Sequence, residues 1–249
     1  MGFEKYILPQ YFKKRLRKKS IKTLYKNAID TKQPKEVVAY LESYLSAQPL
    51  PVQESNYLVL DTETTGLDIR NAQLLSVGFL EITKGEKYGI VLLKSAKEYF
   101  IKNLSIEEKD AIAIHGIRNT DLKSKGDHIE KVLPKLLLVL KGKTLVAHHA
   151  RFDAAILQKY LSQHYGIPLL NPIIDTAYIA RKLDRKGLEL PPLSDDKYKL
   201  DALCTAYNVE QTNRHTALGD AYATALLFLK LEKALIERKI NLYEQTFYL

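Results

Sequence analysis

The chain has 249 residues, 46% of them hydrophobic and 27% charged, a composition that excludes a largely disordered or collagen-like polymer and fits one or two folded domains. No apolar run approaches the roughly 18 residues of a membrane span, so no membrane partner is expected. The single cysteine, Cys204, excludes an intrachain disulfide and a cysteine-based zinc site and points to a reducing, cytoplasmic compartment.

The formal net charge of +9 belongs to one end of the chain. Within residues 1–26, Lys5, Lys13, Lys14, Arg15, Arg17, Lys18, Lys19, Lys22 and Lys26 face Glu4 alone, and the rest is nearly balanced. No apolar segment follows these charges, so no secretory signal is expected. Such a run draws polyanions through sequence-independent phosphate contacts; a solvated helix face is the bland alternative. Absence of glycine from 9–29, then Pro34, then Gln48 to Pro51, predict helices over about 10–29 and 34–46. Residues 1–50 therefore read as a basic helical N-terminal extension.

Beyond Ser55 the pattern changes. Tyr57 to Asp61, Gln73 to Ile82 and Lys87 to Leu93 predict three strands, the last two joined as a hairpin through Lys84-Gly85. Ser105 and Glu108 form a capping box, and helices are expected over Asp127 to Leu140 and Asp153 to His164, with a short strand Thr144 to Ala147 between them. Pro172 to Ile174 predicts another strand, Gly187 to Asp196 an exposed loop, and Thr216 to Arg238 a long final helix. The order β-β-β-α-β-α-β-α implies an α/β domain over 55–240, a mixed sheet flanked by helices, followed by a tail at 241–249.

Three groups of residues carry chemistry. Asp61 and Glu63 end the first strand two residues apart, which puts both carboxylates on one face, where a strand end can hold a cation. Turn or capping duty is the commoner use of such acids. The next residues, Thr64, Thr65 and Gly66, form a small polar turn whose N–H groups can approach a phosphate or a sugar hydroxyl. Asp153 follows Ala147-His148-His149-Ala150-Arg151-Phe152 at the start of a predicted helix, where a plain N-cap is the alternative. Asp220 lies among small and apolar residues that open the last helix, a poor place for a solvated charge. His215 reaches the same site only if it precedes the helix and folds back, with Thr216 as N-cap.

Asp-Thr-Glu-Thr-Thr-Gly at 61–66, Ala-His-x-Ala-x-Phe-Asp at 147–153 and His-x-Ala-x-x-Asp-Ala at 215–221 resemble the three motifs of DEDD-type 3′–5′ exonucleases of the histidine subclass. This is the family of the proofreading epsilon subunit of bacterial DNA polymerase III. His115-Gly116-Ile117, Asp175-Thr176 and Leu200 to Cys204 resemble its secondary landmarks. The resemblance spans about residues 56–230 and implies a ribonuclease H-like fold with a five-stranded mixed sheet.

It further implies two divalent ions, Mg²⁺ or Mn²⁺, with Asp61 bridging, Glu63 and Asp220 on the nucleophile side, and Asp153 on the leaving-group side. His215 is the implied general base, because the tyrosine-subclass position is occupied by Thr216. His149 stands where the family has Asn, so any hydrogen bond made by that Asn must be replaced or lost. Candidate substrate contacts are Thr64, Thr65, Gly66, His115 and Phe152. A hydrogen-bonded structural role is the alternative for His115, as it is for His148 and His149, and a core role the alternative for Phe152. The implied activity is release of nucleoside 5′-monophosphates from single-stranded 3′ ends, with DNA favoured. RNA trimming, and an accessory nucleic-acid- or polymerase-binding module, are the competing readings. Gln245 to Leu249 faintly resembles a sliding-clamp peptide, so a polymerase or clamp is an expected partner.

Overall fold

Apolar residues on both faces of Tyr57–Thr64 make this strand, β1, the centre of the molecule. Leu58 and Leu60 enter one core and Tyr57 and Val59 the other. The structure, a computed structural model, describes residues 10–46, 56–102, 126–184 and 195–249. β2 (Leu74–Lys84) pairs antiparallel with β1, and β3 (Gly89–Phe100) antiparallel with β2. On the other side β4 (Thr144–Ala147) and β5 (Ile173–Asp175) run parallel to β1.

The sheet has six strands in the order β3-β2-β1-β4-β5-β6, which corrects the expected five. The sixth, β6 (Thr246–Phe247), pairs antiparallel with β5 and sets Phe247 opposite Ile173. Two residues carry no readable alternation, so this strand is defined by its partner alone. β3 also continues past Leu93 to Phe100. An irregularity sets Phe79 opposite Lys97 but Glu81 opposite Leu92. Ser95 closes it, its Oγ accepting from Glu81 N at 2.8 Å and donating to Leu92 O at 2.6 Å, so the extra residues stay bonded and the ladder resumes.

One face of the sheet is covered by α1 (Gln10–Asp30), α2 (Lys35–Ser46), α3 (Ile129–Leu140) and α4 (Arg151–Tyr165). The other carries α5 (Thr176–Asp184), α6 (Leu200–Ala206) and α7 (Ala217–Glu237). The N-terminal helices share the first core through Ile21, Ala28, Val37, Tyr40 and Leu41. The fully buried Tyr40 hydroxyl donates to Asn171 Oδ1 at 2.8 Å and accepts from Leu170 N at 2.7 Å. Asn171 Nδ2 in turn donates to the carbonyls of Leu140 and Lys143. This network lies at the amino ends of β4 and β5 and seats the α1–α2 hairpin there. The expected capping box of Ser105 and Glu108, together with His115, lies outside the described residues. No described helix is long and apolar enough to cross a membrane.

Candidate active site

The parallel pairing of β1 with β4 covers Tyr57, Leu58 and Val59, so Asp61, Thr62 and Glu63 run past it. The resulting crevice at the carboxyl ends of parallel strands is where open α/β sheets bind ligands. Asp61 and Glu63 alternate onto the face of Tyr57 and Val59, toward α7. Carboxylate oxygens of Asp61, Glu63 and Asp220 lie within 4.8 Å of one another.

Asp220 arrives there because of two glycines. Gly78 stands opposite Asp61 on β2, and a Cβ on it would fall on the backbone of Ala217 and Leu218. The first turn of α7 therefore rests directly on the sheet beside Asp61. A Cβ on Gly219 would collide with the Asn213 carbonyl, so the lead-in loop closes equally tightly over the helix start. Thr216 caps α7 as expected, its Oγ1 accepting from Gly219 N at 3.1 Å and donating to Asn213 O at 2.7 Å. His215 makes the break with a φ of 63°. Its backbone N–H donates to Asp220 Oδ1 at 3.2 Å while its side chain is exposed.

Asp153 is buried in the first turn of α4, yet it is not the cap of that helix, a position taken by Ala150 without a side-chain bond. Its Oδ1 accepts from Thr62 N at 2.9 Å and Thr62 Oγ1 at 2.7 Å, which places it beside Asp61 on the flank of β1 that carries Thr62. Burial pushes the Asp153 carboxyl up to about 7 even against these two donors. Burial likewise holds Asp61 well above the usual carboxylate range, reinforced by the charges of Asp153 and Glu63 and, more weakly, of Glu98, two strands away across Gly78. Two ionised carboxylates at such spacing repel by about 3 kcal/mol at an effective dielectric of about 20. The chain supplies a partial answer in Arg214. Its guanidinium donates to Asp220 and, through Nε at 2.6 Å, to Asp201, whose carboxyl it holds below its ordinary value.

The remaining sequence candidates divide between support and surface. His148 bridges Thr176 Oγ1 at 2.8 Å and the Tyr198 carbonyl at 2.9 Å. A carbonyl only accepts, so Nε2 carries the hydrogen and Nδ1 accepts from Thr176. Burial, aided by His149, lowers its pKa to about 3, which leaves it a neutral brace between β4, α5 and the turn at Asp195–Tyr198. His149 has a φ of 54°. That left-handed conformation favours Asn and tolerates His, so the departure from the family pattern keeps the turn. Its N–H donates at 3.1 Å to Asp175 Oδ1, which also accepts from Ala177 N at the start of α5.

Thr64 Oγ1 donates to Gly66 O at 2.8 Å, and Thr65 is tied to Gln73 through both its N–H and its Oγ1. A Cβ on Gly66 would point into open space. Phe152 is half-buried against the α1–α4 core. Sequence reasoning missed Gly78, Gly219, Thr62 and Arg214. A lone glycine inside a strand pattern was the available signal for Gly78, whereas Thr62 and Arg214 show their partners only in the folded chain.

A mixed sheet flanked by helices, with acids gathered at its strand ends, is the ribonuclease H-like arrangement. The chain belongs to the exonuclease family, whose model, described as Exonuclease, matches residues 58–228. It is similar to DNA polymerase III PolC-type of Caldanaerobacter subterraneus subsp. tengcongensis, with 30% identity over 212 residues covering 81% of this chain and 14% of that protein. It is also similar to DNA polymerase III subunit epsilon of Aquifex aeolicus, 28% identical over 181 residues that cover 72% of this chain and 81% of the relative. In structure it resembles E. coli exonuclease I in complex with a dT13 oligonucleotide, with a TM-score of 0.60 at 17% identity, over 74% of this chain and 42% of that one. The chain thus spans only about a seventh of the length of the PolC-type relatives, 14% for the protein above.

Proposed function

We propose that this chain is a metal-dependent 3′–5′ exonuclease that hydrolyses phosphodiester bonds at single-stranded DNA ends and releases nucleoside 5′-monophosphates. The observation that carries this reading is the convergence of Asp61, Glu63 and Asp220 within 4.8 Å, inside an exonuclease-family domain. The donor set fits hard divalent cations, being made of carboxylate oxygens that burial and mutual repulsion leave short of positive charge. Asp61, Glu63, Asp153 and Asp220 would hold two Mg²⁺ or Mn²⁺ ions, which when bound neutralise the phosphate and lower the pKa of water.

The protein's own residues do the rest. Thr62 aims Asp153 at the flank of Asp61, and Gly78 lets α7 bring Asp220 to the same point. His215, exposed at the mouth of the site, accepts a proton from the attacking water on its imidazole nitrogen. The turn at Thr64, Thr65 and Gly66 presents backbone beside the acids for the terminal nucleotide, with His115 and Phe152 as further contacts. DNA is favoured over RNA because the similar proteins named above are DNA polymerase III components and an exonuclease bound to an oligo-dT strand.

A proofreading association with a DNA polymerase is the role those names support. A sliding clamp engaging the C-terminal tail would have to displace β6 and free Gln245, whose Oε1 accepts from Lys182 Nζ at 2.9 Å and whose Nε2 donates to Asn241 O at 2.9 Å. The test is digestion of 5′-labelled single-stranded DNA and RNA with Mg²⁺, Mn²⁺ or EDTA, comparing the wild type with Asp61→Asn. A ladder shortening from the 3′ end, strongest on DNA and absent in EDTA, is expected. Equal rates for the two proteins would refute the site.

A further inference from the structure

Helix α1 changes character along its length. In its second half Ile21, Leu24, Tyr25 and Ala28 recur at helical spacing and pack into the first core. Lys19, Lys22 and Lys26, three and four residues apart, form a neighbouring row on another face, and all three are exposed. None of the three forms an ion pair among the described residues. The bases of α1, from Lys13 to Lys26, share the helix with one acid, Asp30. Such a helix repels itself, and tertiary packing of its apolar stripe holds it in place.

The stripe also decides what the charge is for. A helix lying on a membrane must turn an apolar face outward, and in the second half of α1 the apolar stripe of Ile21, Leu24, Tyr25 and Ala28 is turned into the core. What remains outward is a row of ammonium groups with a single exposed apolar neighbour among the described residues of the helix, Ile29, which suits a flexible chain of phosphates. The hairpin that carries the row is anchored on the side of the sheet away from the carboxylates. Tyr40 and Asn171 seat the α1–α2 hairpin at the amino ends of β4 and β5, whereas Asp61 and Glu63 lie beyond the carboxyl end of β4.

We propose that the exposed Lys19, Lys22 and Lys26 face of α1 is a sequence-independent binding surface for the phosphate backbone of a nucleic acid strand, separate from the acidic crevice. It holds the distal part of a long strand, not the 3′ end. This inference does not rest on the proposed nuclease activity, because binding to α1 requires no metal and no hydrolysis.

The experiment measures binding of the full-length chain to fluorescently labelled single-stranded DNA in EDTA, as a function of salt, for the wild type and two triple variants. In one, Lys19→Gln, Lys22→Gln and Lys26→Gln are combined; in the other the same lysines become Arg. Each lost phosphate contact removes about 0.7 from the slope of log affinity against log salt, so the Gln variant should lose about 2 in slope and about tenfold or more in affinity at low salt. The Arg variant should keep both. The Gln variant should melt no lower than the wild type, because only exposed like charges are removed, and with Mn²⁺ it should hydrolyse a trinucleotide at the wild-type rate. Unchanged slope and affinity in the Gln variant would overturn the proposal. So would a loss confined to phosphatidylserine vesicles with DNA binding intact, which would assign the face to a membrane.

Discussion

At the strand-end crevice like charges are drawn into the protein, and on α1 like charges stand in solvent. Around Asp61 the crowding is paid in protonation: burial comes first, then the neighbouring carboxylates, and the acid is held well above its ordinary range. Lys19, Lys22 and Lys26 are exposed, where water and salt screen their mutual repulsion. The acidic group is also held by geometry, with Thr62 on Asp153, Gly78 under α7 and Arg214 on Asp220. Among the described residues the basic row has no such scaffolding beyond its helix. A buried, positioned set of charges selects a small hard cation, while an exposed row selects only a sign.

The difference is open to breaking from either side, and the largest effect is expected at the acids. Asp61→Asn should cost several kcal/mol of transition-state stabilisation, a nuclease rate lower by about 10³-fold or more. Affinity for long DNA in EDTA should not fall, since a neutral amide adds no charge that repels phosphate. His215→Ala should lower turnover by about 10² to 10⁴ while calorimetry finds Mn²⁺ affinity retained. Loss of metal binding in that variant would deny His215 its role as base.

Gly78→Ala tests the scaffold without touching a charge. The new methyl must push the start of α7 off the sheet. Overpacking of this kind costs about 1 to 3 kcal/mol, read as a lower melting temperature. A displacement of Asp220 by about 1 Å should cost about 10²-fold in rate. Wild-type activity in this variant would show that close contact at Gly78 does not place Asp220.

A smaller effect separates the two regions by pH. Asp153 keeps its proton to about pH 7 in the folded chain and releases it near 3.8 when unfolded. Between those values the folded state binds more protons, so metal-free stability should fall as pH rises from about 4, and Asp61, also held above its ordinary range, adds to the decline with the same sign. Melting curves in EDTA should show this decline, and Asp153→Asn should make it shallower. Saturating Mg²⁺ or Mn²⁺ should raise the melting temperature most at the alkaline end, where the ligands are ionised in the metal-free protein. The Lys-to-Gln variant of α1 removes no carboxylate of the crevice and should leave the pH profile unchanged.

Much of the molecule was legible before folding was considered. Pro34, the glycine-free stretch ahead of it and the Thr216 cap mark helix limits by local backbone chemistry, and the observed α1, α2 and α7 start and stop within a residue or so of the expected positions. The acids at 61, 63, 153 and 220 were readable as motif residues in order. Local signals failed where the cause was a distant partner. β3 looked finished at Leu93 because the bulge bonded through Ser95 interrupts its alternation. β6 is two residues long and exists through β5. For Asp153 a plain N-cap stayed open as the alternative to a motif role, and Thr62, some ninety positions away, is what occupies its Oδ1.

The sequence by itself determined the charge polarity of this protein, the helical and extended periods and the identity of the acids, because these depend on residue type and on neighbours a few positions apart. Only the tertiary structure decided that Asp61, Glu63 and Asp220 share one crevice while Arg214 turns toward Asp220 and Tyr40 anchors α2 at Asn171, before β5. That decision belongs to packing: side chains far apart in the chain meet when a strand runs past its neighbour and a glycine lets a helix lie against it.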